Sequence, residues 1–155
     1  MLVPFVPTPP EVAEAMLDCA KASKEDIVVD LGSGDGIILY IAKKKFNVRL
    51  AVGIELRQDL CRNSYKEKKN YIEVICGDMI YLSPIIIPKA TIITTYLSTI
   101  TNEKIEPLLL KYGKKGLRIV SHDFVFPNLK YYETRRVIAE GVLGPTEHYV
   151  YCYRL

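Results

Sequence analysis

With 155 residues and a mass of 17.6 kDa, the chain can bury one substantial core, and two domains would be cramped. A net charge of +3 and a pI of about 8.6 permit an acidic partner but fall short of the lopsided balance of a dedicated nucleic-acid binder. The longest weakly charged stretch, residues 79–101, is broken by Pro84, Pro88 and Lys89, so it reads as loop and strand and no membrane insertion is expected.

The N-terminal arm, Pro4-Phe5-Val6-Pro7-Thr8-Pro9-Pro10-Glu11, is too rich in proline for a strand. Thr8 and Glu11 stand three apart as a capping box, with Pro9 and Pro10 in first-turn positions whose N–H groups need no partner. Val12, Met16, Leu17 and Ala20 then recur at helical spacing, giving an amphipathic helix to about Ala22. Thr8 either caps this helix and no more, or belongs to a stiff arm lying across the mouth of a ligand site.

Asp26-Ile27-Val28-Val29 suits a buried strand and Ile37-Ile38-Leu39-Tyr40-Ile41-Ala42 can start a helix. Between them lies Asp30-Leu31-Gly32-Ser33-Gly34-Asp35-Gly36, a glycine turn in the context expected of a nucleotide-cofactor loop. A dinucleotide loop requires G-x-G-x-x-G, but here Ile37 stands where the third glycine would be, and no Gly-Lys-Ser/Thr follows to make a P-loop. The glycines Gly32, Gly34 and Gly36 instead follow G-x-G-x-G behind the carboxylate of Asp30. That carboxylate would repel a pyrophosphate and suits a ligand bearing an ammonium or sulfonium group, the pattern of S-adenosylmethionine (SAM) binding. The alternative is a tight strand-to-helix turn with no ligand.

Arg49-Leu50-Ala51-Val52-Gly53-Ile54-Glu55 reads as a second buried strand ending in an acid, 19 residues beyond Gly36. A carboxylate there offers two acceptor oxygens to adjacent ribose hydroxyls. Residues 59–69 form the next expected helix, with Leu60 and Ser64 inward. The runs Lys43-Lys44-Lys45 and residues 66–69 face water in this reading. Tyr71-Ile72-Glu73-Val74-Ile75-Cys76 makes a third strand, stopping at Gly77-Asp78-Met79. Asp78 and Met79 fit an adenine contact, and equally well an Asp that caps a short helix toward Ser83.

The fourth strand, Ala90-Thr91-Ile92-Ile93-Thr94-Thr95-Tyr96, is followed by Leu97-Ser98-Thr99. Ligands of open α/β sheets bind outside the carboxyl ends of the strands, so Thr95, Tyr96 and Ser98 are best placed beside a reacting group. Thr101 or Asn102 can cap a helix toward Tyr112, disturbed at Pro107. Leu117-Arg118-Ile119-Val120-Ser121-His122 is strand five, with Asp123 and Phe124 at its end; His122 is a candidate general base or a structurally satisfied histidine. Residues 131–141 and 147–155 alternate as a hairpin. Cys19, Cys61, Cys76 and Cys152 are scattered, with no C-x-x-C and no histidine at ligand spacing, which suggests neither a disulfide framework nor a zinc site. No basic, apolar and cleavage-site regions run in order at the N-terminus, so the expected setting is soluble, reducing and cytoplasmic. Abundant isoleucine and lysine, with Gln58 the lone glutamine, resemble thermophile composition.

These readings predict one domain over 1–155: an arm and helix (1–22), a cofactor-binding core (23–130) and a C-terminal hairpin (131–155). The fold is α/β and Rossmann-like, a mostly parallel sheet closed by an antiparallel hairpin with helices on both faces. Pro4-Phe5-Val6-Pro7-Thr8-Pro9, residues 30–36, Thr94-Thr95-Tyr96-Leu97-Ser98 and Ser121-His122-Asp123-Phe124 carry a resemblance to class I SAM-dependent methyltransferases. The chain is most similar in these motifs to the small archaeal broad-specificity protein lysine methyltransferases and their eukaryotic relatives acting on the ATP synthase c subunit. The glycine loop is common to the superfamily, whereas the Val-Pro-Thr-Pro arm and the Thr-Tyr-Leu-Ser strand end are more particular. The resemblance implies a seven-stranded sheet, SAM as donor and lysine side chains of proteins as acceptors. It implies Thr8, Asp30, Gly32 and Gly34 near the methionine part, Glu55 on the ribose, and Asp78 with Met79 at the adenine, with Ser33 and Gly36 also cofactor-binding. Tyr96 and Thr95 are expected to orient the amine. The Asp/Asn-Pro-Pro-aromatic motif of base-amino methyltransferases is missing after strand four, and few residues are left for a lid over a small acceptor. A monomer without a stable nucleic-acid partner is expected.

Overall fold

A computed structural model describes residues 5–155; Pro4, the first residue of the proline arm, lies outside the described residues. Seven strands form one sheet: β1 (Ile27–Leu31), β2 (Leu50–Glu55), β3 (Glu73–Cys76), β4 (Ile92–Thr95), β5 (Arg118–His122), β6 (Glu133–Gly141) and β7 (Gly144–Arg154). Their spatial order is β3-β2-β1-β4-β5-β7-β6, with the first five parallel and β7 antiparallel to both β5 and β6. The helices are α1 (Pro10–Cys19), α2 (Ile37–Phe46), α3 (Gln58–Lys68), α4 (Met79–Ile86) and α5 (Thr99–Tyr112), with a 3-10 turn at Ile87–Lys89. None of these helices is long and apolar enough to cross a membrane.

Alternation along the central strands sends side chains to two cores, as a sheet covered on both faces requires. Val28, Ile92 and Val120 pack with α1 and α2, while Val29, Leu31, Ile93 and Ile119 pack with α4 and α5. The chain runs outward from β1 to β3 and then returns to β4, so β1 and β4 are neighbours and the strand order reverses between them. Loops leaving their carboxyl ends part there and leave a crevice, which is where open α/β sheets bind ligands.

Local chemistry corrects several expectations. Thr8 does not cap α1: Pro9 is the N-cap without a side-chain bond, and Glu11 accepts from the backbone N of Glu140 at 3.0 Å. The capping box is not formed because Thr8 is drawn to His122 of β5 instead. The cap of α5 is Ser98, whose hydroxyl accepts from the Thr101 backbone N at 3.1 Å, so Thr101 and Asn102 lie inside the helix. Asp78 does cap α4, accepting from the Ile80 backbone N at 2.9 Å.

The cysteines overturn the expectation of no disulfides: Cys19 is bonded to Cys152 and Cys61 to Cys76. The first pair is 133 residues apart in sequence, yet α1 packs across β5, β7 and β6, which brings the two ends of the chain together. Sequence separation conceals such a pairing, because only the tertiary fold fixes the distance between Cα atoms. Near this seam Arg118 donates to the Ala20 carbonyl and pairs with buried Asp26. Burial pushes the Asp26 carboxyl up, but hydrogen bonds from Arg118, Thr91 and Ser23 outweigh it and hold the group below the usual range.

Candidate active site

A cavity of about 540 Å³ opens at the reversal between β1 and β4. Its floor is the glycine loop. Gly32 and Gly34 hold φ of 79° and 57°, and a Cβ on either would lie 2.8 Å from Leu97 or 2.5 Å from Phe5. Only glycine takes that conformation without strain and leaves the backbone bare toward the cavity. Gly36, also at positive φ, is the N-cap of α2 and does not line the cavity. Ser33 does line it, and its buried hydroxyl has no partner.

Two buried carboxylates face this floor. Asp30, at 2 % exposure, accepts a bond from the Thr94 hydroxyl at 2.9 Å. Burial raises its pKa to about 8, opposed by the Thr94 bond and reinforced by Glu55 and Asp35 nearby. Glu55 accepts from the backbone N–H groups of Gly34 at 2.7 Å and Arg57 at 2.9 Å, so the end of β2 braces the loop at the end of β1. Among the described residues neither Asp30 nor Glu55 is bonded to a basic side chain. A cationic ligand would satisfy Asp30; the Ser33 hydroxyl is turned away from the cavity and packs against Gly53 of β2. Asp78 and Met79 line the far end, with the Asp78 carboxylate keeping one oxygen beyond its capping bond.

The opposite wall comes from distant segments. Thr8 is buried at the cavity edge, its hydroxyl 3.1 Å from Nδ1 of His122. Tyr96, half-buried, stacks its ring on His122 with centroids 3.7 Å apart and lies 6.2 Å from Phe124. Burial, then Asp123, pushes the Tyr96 phenol above its ordinary pKa, so it stays a neutral donor. Burial first, and the neighbouring His148 second, hold His122 below the usual histidine range, with Asp123 opposing. Asn102, buried on α5, donates to the carbonyls of Phe124 and Val125 and fixes the loop that carries Phe124.

The structure therefore gathers Thr8, Asp30, Gly32, Ser33, Gly34, Glu55, Asp78, Met79, Tyr96 and Ser98 on one cavity. Thr95 is not among them; it is buried beneath Tyr96 and its hydroxyl is unpartnered. Phe5, Leu97, Lys104 and Phe124 were not singled out as cavity residues from the sequence, nor was His148 as the neighbour of His122. The last had a signal: the chain holds only two histidines, and strands β5 and β7 pair His122 with Val150, placing His148 diagonally adjacent on one face.

A reversed parallel sheet closed by an antiparallel hairpin, with acids at the ends of β1 and β2 around a glycine loop, defines the class I methyltransferase architecture. Residues 30–133 match the family described as the ANTKMT methyltransferase domain, and the chain belongs to that family. It is 38 % identical over 156 residues to a protein-lysine N-methyltransferase of Saccharolobus islandicus, covering 97 % of this chain and 92 % of the relative. Among solved structures it is similar to an RNA methyltransferase from Salinibacter ruber in complex with S-adenosyl-L-homocysteine. That match has a TM-score of 0.82 and 32 % identity over 96 % of this chain and 93 % of the other. A precorrin 8w decarboxylase from Methanobacterium thermoautotrophicum shares the fold at 16 % identity, with a TM-score of 0.73 over 97 % and 92 % of the two chains.

Proposed function

We propose that the chain is a SAM-dependent protein-lysine methyltransferase of broad specificity, a single-domain cytoplasmic monomer acting on exposed lysines and forming no stable nucleic-acid complex. The observation that carries the reading is the pair of buried carboxylates, Asp30 and Glu55, set without cationic partners around a bare glycine loop that opens onto Tyr96. The kinship with the Saccharolobus enzyme supports lysine as acceptor. Two disulfides are compatible with a cytoplasmic enzyme of a hyperthermophile, whose intracellular proteins are rich in them.

When bound, SAM supplies an electrophilic methyl group on a sulfonium. In this reading Asp30, Thr8 and the backbone at Gly32 and Gly34 hold its amino-acid part, with Ser33 shaping the turn between the glycines and Gly36 setting the start of α2. Glu55 accepts from the ribose, while Asp78 and Met79 flank the adenine. Tyr96 orients the lysine nitrogen, and Thr95 beneath it fixes where Tyr96 leaves the sheet. A free lysine is neutral about once in 2,500 at pH 7, a cost of about 4.6 kcal/mol. A cavity walled by Phe5, Leu97, Tyr96 and Phe124 lowers that cost, because an apolar surrounding disfavours the ammonium. Alignment of the amine then contributes through proximity, and no separate strong base is required.

A second reading, methyl transfer to RNA, is favoured by the kinship with the Salinibacter protein. Incubation with labelled SAM, mixed proteins and RNA separates the two. Label on lysines, located by mass spectrometry, is the expected result; label confined to RNA would overturn the proposal.

A further inference from the structure

At the end of β5 the two histidines of the chain meet an aspartate. Nε2 of His122 lies 2.8 Å from Nδ1 of His148, and Oδ2 of Asp123 lies 3.5 Å from the first and 3.7 Å from the second. A triangle with those sides has a circumscribed radius of about 2 Å, so one point sits a zinc–nitrogen bond length from all three atoms. The sequence has no histidine at ligand spacing and suggests no zinc site, yet the donor set comes from two strands that only the fold makes neighbours.

Each donor is also held from behind. The other ring nitrogen of His122, Nδ1, is 3.1 Å from the Thr8 hydroxyl, and that of His148, Nε2, is 2.8 Å from the Thr146 hydroxyl. Oδ1 of Asp123 accepts from the Tyr149 backbone N at 2.9 Å, leaving Oδ2 turned to the histidines. Metal-binding histidines are oriented in this way by a bond at the second nitrogen, and bound carboxylates by a bond at the second oxygen. Asp123 has a φ of 65°, a left-handed conformation uncommon outside glycine but tolerated by aspartate, which carries its carboxylate back over His122. The cluster is buried at His122 and only partly open at Asp123 and His148.

We propose that His122, Asp123 and His148 form a site for a divalent transition ion of the zinc class. Nε2, Oδ2 and Nδ1 are its three protein ligands, with a fourth position free for water. Two imidazoles and one carboxylate are the donors such ions take, whereas magnesium and calcium prefer oxygen alone. Because β7 carries His148 and β5 carries His122, the ion fastens the C-terminal hairpin to the parallel sheet. Through Thr8 and the stacked Tyr96, it also stiffens the wall of the cavity.

The test uses the full, oxidised chain, so that no thiol competes, stripped with a chelator and titrated with Co²⁺ followed by competing Zn²⁺. The expected result is one equivalent of Co²⁺ per chain with the visible absorption of a low-coordinate site, displaced by Zn²⁺. His148→Ala should abolish this signal, and Thr146→Val, which removes only an outer partner, should weaken affinity about tenfold. Circular dichroism checks that each variant is folded; if His148→Ala is not, Asp123→Asn and Thr146→Val decide the matter. No saturable binding, or binding that survives both ligand substitutions unchanged, overturns the site.

Discussion

The cavity has two walls of different construction. The wall we propose for the cofactor, the cofactor wall, is assembled from short, contiguous pieces: a strand, a glycine turn and an acid at the end of the next strand, with Glu55 bracing Gly34 directly. The wall we propose for the acceptor, the acceptor wall, brings Thr8, Tyr96 and Phe124 together over His122 and His148, from four separate parts of the chain joined by side-chain bonds and ring stacking. The first is held by backbone geometry that only glycine permits, whereas the second depends on β7 lying beside β5 and on α1 lying over both. Damage to the hairpin should therefore reach the acceptor wall and spare the cofactor wall.

The largest expected effect is on stability. Opening the Cys19–Cys152 bond with Cys152→Ala releases a loop of 133 residues, worth about 5 kcal/mol in the chain-entropy account, against about 3 kcal/mol for the 15-residue loop of Cys61–Cys76. For a chain of this size the former lowers Tm by roughly 10–20 °C. Calorimetry of each single cysteine variant checks both the size and the order, and equal shifts would break the contrast between the two regions.

Function should divide along the same line. Asp30→Asn, which removes the buried charge we propose faces the sulfonium, is expected to weaken SAM affinity on the order of 100-fold at pH 8. Tyr96→Ala should instead lower kcat by about 100-fold with the SAM Kd within about threefold of the wild type. Titration calorimetry together with steady-state rates separates them; a Tyr96 variant that loses SAM binding to the same degree would merge the walls into one.

The Asp30 carboxyl gives a pH test. Its native pKa of about 8 lies above the ordinary value of 3.8, so between them the free enzyme holds a proton that the unfolded chain has released. Asp30 therefore withdraws stability from the free enzyme as pH rises from about 4 to about 8, and adds none of that loss above. A cationic ligand selects the ionised form, so SAM affinity should rise as pH climbs toward 8, by up to about tenfold per unit, and level off beyond. The Asp30→Asn profile should be flat over that range. The smallest effect is expected from Thr8→Val, which removes one hydroxyl bond to His122 and should cost about 1 kcal/mol in urea unfolding.

What the sequence disclosed follows the same division. Asp30, Gly32, Gly34 and Glu55 could be read because the strand, the turn and the next strand end are consecutive, and their spacing is set by the length of a helix. The parallel strands were legible mainly as apolar runs and the hairpin from alternation; boundaries differ at β3 and β4, where the first residues lie outside the ladder, and at β7, which begins at Gly144 rather than 147. Thr8 looked like a helix cap because a local pattern was satisfied by it; a long-range bond to His122 won instead. Thr95 was placed beside the acceptor because it ends the fourth strand, but consecutive residues of a strand point to opposite faces, and it is buried. The Cys19–Cys152 bond and the His122–His148 contact were hidden for a shared reason: they join the N-terminal helix or β5 to the last strand, a pairing that no local pattern encodes, whereas Cys61 and Cys76 meet because α3 packs on β3.

The Cys19–Cys152 bond also sets how the molecule would bear a pull. Tension applied to the two ends passes through that bond and bypasses the sheet, since only the residues before 19 and after 152 lie outside the covalent ring. An oxidised molecule stretched from its termini should lengthen by no more than roughly 70 Å, whereas a reduced one can pay out its whole contour of roughly 500 Å. The enzyme thus behaves as a closed loop with two short handles.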